Sequence, residues 1–239
     1  LSGMRVGALY SKLVTRTASP LAPSQMFTAW TSAQEVTGRI GRYISDWADQ
    51  KRTDGKLTRS LAIIVLAMAV SLFMFSPANH WIAQLFSAVL EKRQPSAARK
   101  VMVVGLKMTA CAVPGLIGGL VIVETLRLQG FLTPAGEDVA RAFWVGVLSM
   151  LLVSSFTAAF FAPLSPEWRI APINTKQGRT VSLLAFAIVA FFSFNNLLTA
   201  IVRAADANEA LVSIGNSDTS IAIGICLFLL CRSHLWVTD

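Results

Sequence analysis

The stretch Val101–Val123, VMVVGLKMTACAVPGLIGGLVIV, carries one charge, Lys107, in 23 residues, and Glu124 closes it. At about 1.5 Å per residue it is long enough to cross a hydrocarbon core of roughly 30 Å. Its second half contains Pro114, Gly115, Gly118 and Gly119. These residues weaken a helix in water. Lipid offers the backbone no other partner, so a spanning helix tolerates them. The stretch therefore reads as a kinkable transmembrane helix, suited to close packing or to movement in a pathway.

The rest of the chain has the same character. Its 239 residues are 54% hydrophobic and only 14% charged, with a mean hydropathy of +0.58. Soluble domains carry about 25% charged residues, so charge has been cleared from long blocks. The expected class is an all-α, polytopic membrane helix bundle. The net charge of +8 is spread over loops and ends, where cations favour anionic head groups. No basic run is interleaved with aromatics, which argues against a nucleic-acid partner.

Residues 1–59 are polar and basic and form the extramembrane, juxtamembrane part. Pro23 punctuates this segment and Ser24 is a candidate cap. Between Trp30 and Trp47, the positions Ala33, Val36, Ile40, Tyr43 and Trp47 fall at steps of three and four, with Arg39, Arg42 and Asp46 off the stripe. This amphipathic helix suits a bilayer surface, a packed partner, or a soluble domain continuing upstream. Residues 60–239 form the transmembrane region, with spans at about 60–79, 101–123, 142–162 and 180–202. A fifth at 219–235 could just cross if Arg232 snorkels. Trp81–Leu90 reads as a short interfacial helix, and Gly130–Asp138 as a loop turning at Pro134–Gly136. Basic residues number seven on one side of this arrangement and eight on the other, so charge does not orient it.

Chemistry is sparse. His80 and His234 stand apart, without ligand partners at helical spacing. Cys111, Cys226 and Cys231 read as small core hydrophobes, and no nucleophile elbow, phosphate loop or dinucleotide fingerprint is present. An enzyme is not expected, nor a cofactor or metal. Lys107 could line a water-filled path or hold an anion. Near the start of its span, it can also lift its ammonium to the head groups, and that reading is preferred. Asn195 and Asn196 interrupt the fourth span and suit bonds across helices, or a polar path. Gly115 and Gly119 make a G-x-x-x-G contact face, with Pro114 as a kink.

Two stretches carry a family resemblance. Ala8–Trp30, ALYSKLVTRTASPLAPSQMFTAW, leads through the amphipathic segment toward the first span. Ala162–Arg179 contains Ser165-Pro166-Glu167-Trp168-Arg169, followed by Ala171-Pro172. Both resemble the large bacterial members of the MscS family of mechanosensitive channels, with Pro166, Trp168 and Arg169 as the family-like connector. The resemblance implies a bacterial inner-membrane location, a periplasmic N-terminal segment, a homo-oligomeric, heptameric parent, and ions as the permeant species. It also implies that these helices face lipid and respond to tension. The family's Gly/Ala-rich pore helix and cytoplasmic β domain have no counterpart after Ile221. The chain is therefore expected to be the sensor part of a longer channel, beginning within it at Leu1. The alternatives are a small secondary transporter or permease subunit, with Lys107 and Asn195 lining a midplane site, and a membrane assembly subunit without transport of its own.

Overall fold

The computed structural model describes residues 22–75, 81, 96–161, 170–171 and 173–232. These form six helices and no strand: α1 Pro23–Thr53, α2 Leu57–Phe75, α3 Ala97–Leu128, α4 Pro134–Phe161, α5 Thr175–Ala204 and α6 Ala210–Leu230. The last five are long and apolar enough to cross a membrane, and the chain is a multi-pass membrane protein.

The spans follow the apolar runs, with their ends moved. α3 passes through Pro114 without interruption. α4 begins at Pro134, so the turn expected at Pro134–Gly136 is instead the first helical turn. Proline's missing N–H is harmless there, and the N–H of Gly136 donates to Thr133 Oγ1 at 3.1 Å. α6 corrects the fifth span: it starts at Ala210 and ends at Leu230 rather than covering 219–235. Asn216, Ser217 and Asp218, outside the expected span, lie inside the helix. In α1 the cap is also displaced. Ala22 holds the cap position and Ser24 lies within the helix, where its carbonyl accepts from Thr28 Oγ1 at 2.9 Å. Trp81 is helical and exposed, while the rest of the expected interfacial helix, 82–90, lies outside the described residues.

Each span packs chiefly on its neighbours in sequence: α2 on α3, α3 on α4, α4 on α5 and α5 on α6. Five-residue connections, 129–133 and 205–209, force these neighbours to run antiparallel. The result is a single row of helices. α1 contacts both α6 and α2, so it joins the two ends of the row like a strap. A one-layer row buries little of itself: in the most apolar stretch of each span only 11% to 29% of the residues are buried. Val65, Leu66, Phe192, Phe194 and Phe228 are each more than half exposed, the surface that lipid covers.

The two sides of the row are closed differently. On one side Phe161, Ile173 and Val181 form a buried cluster with Leu230 packed against it, tying α4, α5 and α6 together. On the other side α1, α3 and α5 end in the same way. Gly55 and Gly130 take φ of +67° and +65°. The N–H groups of Lys56, Phe131 and Ala207 each reach back to a carbonyl five residues earlier, at 3.0, 2.9 and 3.1 Å. These are Schellman closures, which satisfy carbonyls left over by the last turn. In the third, the left-handed position is held by Asp206 at φ +46°, where a side chain is strained.

Candidate functional site

Four close approaches lie at one level across the row. A Cβ on Gly118 of α3 would stand 3.3 Å from the Ser71 carbonyl oxygen of α2, and Gly119 faces the indole of Trp144 on α4. A Cβ on Gly146 of α4 would stand 2.9 Å from Ser193 Cβ on α5, and one on Gly215 of α6 would stand 3.1 Å from Asn195 Oδ1 of α5. Small residues at each crossing let the backbones approach closely. Pro114, Gly115, Gly118 and Gly119 are all buried. The close approaches of α3 come from Gly118, toward α2, and Gly119, toward α4, whereas the sequence pattern pairs Gly119 with Gly115.

Asn195 bonds α5 to α6 at this level: its Nδ2 donates to Asn216 Oδ1 at 2.6 Å. Its own Oδ1 is buried without a hydrogen-bond partner, and Gly215 leaves the room it occupies. Asn196 is exposed. Lys107 lies elsewhere. It is 11 residues from Gly118, about 16 Å along α3, on the side where α3 begins. The structure therefore does not bring Lys107 and Asn195 to one site, and α4 stands between their helices. Pro166, Trp168 and Arg169 lie outside the described residues. Cys226 is buried, as a core hydrophobe would be, but Cys231 is exposed.

Asp218 was not singled out by the sequence reading. It is the ninth residue of α6's 21, about 12 Å from the helix start, and it is exposed. An ionisable group at that depth is a functional signal by itself. The signal was present in sequence, but a fifth span placed at 219–235 left Asp218 just outside the membrane.

The strap supplies the second feature. Arg39, Tyr43 and Trp47 recur every fourth residue and form one line on α1. Arg39 Nη1 donates to the carbonyl of Ala205, while Nη2 pairs with Glu35 at 2.5 Å. Tyr43 Oη donates to the Phe131 carbonyl at 2.6 Å, and Trp47 Nε1 to the Gln129 carbonyl at 3.3 Å. Gln129 and Ala205 are the capping residues of α3 and α5. The strap thus closes the carbonyl ends of two spans, and Arg39 sets a cation at the negative end of α5. Phe131 packs edge-on to Tyr43 and Trp47, with ring centres 6.0 and 5.1 Å away. Arg39 belongs with the stripe from which the sequence pattern excluded it. Trp30 does not dock and is 64% exposed, while Trp47 is 6% exposed. The two tryptophans of the expected surface face have different environments.

Between strap and row lies a cavity of about 1070 Å³, walled by Ile40 of α1, Leu72 of α2, Leu126 of α3, Phe143 of α4 and Ile201 of α5. Its charged lining is confined to Arg39 and Asp206 at the strap. Among the described residues no three of His, Cys, Asp and Glu gather in metal-binding reach.

No family model, curated protein or solved structure matches this chain.

What the site can do follows from its own geometry. It holds a buried level of small residues, a polar pair and a carboxylate at mid-depth, and an apolar cavity under an amphipathic helix.

Proposed function

We propose that this chain is the N-terminal, membrane-tension-sensing part of an MscS-type mechanosensitive channel of a bacterial inner membrane, helping to release ions and osmolytes on hypo-osmotic shock. The observation that carries this reading is the one-layer row with an apolar cavity under the strap. A tension sensor must exchange lipid contacts as the bilayer thins and spreads. A row exposing both broad faces does so more readily than a compact bundle, and the cavity offers acyl chains a place that widening or closing would fill or empty. The family-like stretches Ala8–Trp30 and Ala162–Arg179 support the same assignment, and with it a periplasmic N-terminal segment and a heptameric parent. The permease reading needs Lys107 and Asn195 at one midplane site, and their separation removes that support.

Suction applied to membrane patches containing the full-length parent tests the proposal. Stretch-activated currents that weaken when Trp47→Ala releases the strap are expected. A gene that continues past Asp239 into anything other than a Gly/Ala-rich helix and a β domain overturns the assignment, as does a parent silent under suction.

A further inference from the structure

The mid-depth level of the row carries polar side chains that the chain itself leaves unpaired. Asn196 and Asp218 are exposed, and among the described residues neither side chain makes a hydrogen bond or ion pair. Asn216 uses its Oδ1 to accept from Asn195, and its Nδ2 makes no hydrogen bond among the described residues. Lipid can satisfy none of these groups, and a carboxylate at the middle of a span is the costliest of them. Lys107 cannot neutralise Asp218: it is 21 residues from the end of α3 while Asp218 is eight from the start of α6, a difference in depth of about 20 Å.

Copies of a membrane chain share one orientation, so rotation about the membrane normal brings each residue only to others at its own depth. At the depth of Asp218, among the described residues, the exposed side-chain donors without a bond are the carboxamides of Asn216 and Asn196. Asn216 and Asp218 are two positions apart, about 200° around the helix, so donor and acceptor stand on opposite flanks of α6. Complementary groups on opposite flanks make a head-to-tail contact, which gives a ring when the rotation between copies closes. Ser213, Ser217, Ser220 and Gly224 leave α6 narrow enough for close approach by another helix.

We propose that α6 is the contact helix between copies of this chain, Asp218 of one copy accepting a hydrogen bond from Asn216 Nδ2 of the next. The contact joins the copies head to tail around a common axis. This proposal stands apart from the channel reading: a parent silent under suction would leave it intact.

Cysteine cross-linking in native membranes tests it. The full chain, with Cys111, Cys226 and Cys231 replaced by Ala, receives S220C beside the Asn216 flank and I221C beside the Asp218 flank. Oxidation of the double variant is expected to give a ladder of covalent oligomers, while either single variant gives none. D218L should weaken self-association in bilayer nanodiscs about three- to tenfold, and D218N should recover part of it. The proposal is overturned by a missing ladder in the double variant, which is otherwise native at Asn216 and Asp218. It is equally overturned by cross-links to another membrane protein in place of the ladder, or by association unchanged in D218L. Rapid modification of D218C by a water-soluble thiol reagent in intact membranes would make Asp218 part of an aqueous path and overturn it too.

Discussion

The indole of Trp144 fills the space that a side chain on Gly119 would need. α3 and α4 therefore meet at a crossing only glycine permits, in the middle of the level that joins the five spans. Gly119→Ala should already lower thermal stability, at about 1–3 kcal/mol for overpacking, and Gly119→Leu should lower it further or block assembly. Gly105, where a Cβ would meet nothing within 4 Å, is the control. Melting of purified protein in detergent should separate Gly119→Ala from Gly105→Ala. Trp144→Ala should rescue the former in part.

The strap is held by aromatic packing and donated hydrogen bonds onto loop carbonyls. Tyr43→Phe removes one bond and should cost about 0.5–1.5 kcal/mol. Trp47→Ala also empties a buried site, and should cost about 3–5 kcal/mol of strap docking. Hydrogen exchange over Pro23–Thr53 is the measurement. Faster exchange in Trp47→Ala, with α4 and α5 unchanged, is expected; uniform destabilisation of all spans would contradict an independent strap.

Three helices close through a left-handed residue, and the third closure is strained. Asp206→Gly should relieve that strain and raise stability by about 0.5–1 kcal/mol, whereas Gly130→Ala should lower it by about 1 kcal/mol or more. Denaturation midpoints compared with the parent chain should move in opposite directions. The Arg39 contact here is to backbone carbonyls, which survive Asp206→Gly.

Asn195 and Asn216 form a single coupled pair across α5 and α6. Each Asn→Ala change and the double variant should give a coupling of about 0.6 kcal/mol, up to about 1.7, from a double-mutant cycle on detergent unfolding. Additive single effects would mean that the bond between the helices contributes nothing to stability.

The sequence by itself determined that this is a membrane helix protein, because apolar runs of spanning length with charges confined between them have one stable solution in lipid. It also marked the cluster Pro114, Gly115, Gly118 and Gly119 as suited to close helix approach, and all four are buried, whereas Gly105 of the same helix is exposed. Tertiary structure decided the rest. Asn216, Ser217 and Asp218 fell outside the expected fifth span because hydropathy averages over faces. Inside α6 the carboxamide of Asn216 meets that of Asn195, and only the fold supplies that partner. Arg39 looked solvent-facing because a charge is normally hydrated, yet the closures of α3 and α5 leave carbonyls that Arg39, Tyr43 and Trp47 reach from one line on α1. Val101–Val123 announced close packing, but not against what. The neighbours of Gly118 and Gly119 lie tens of residues away, and side-chain period along a helix carries no information about which distant helix fills the groove.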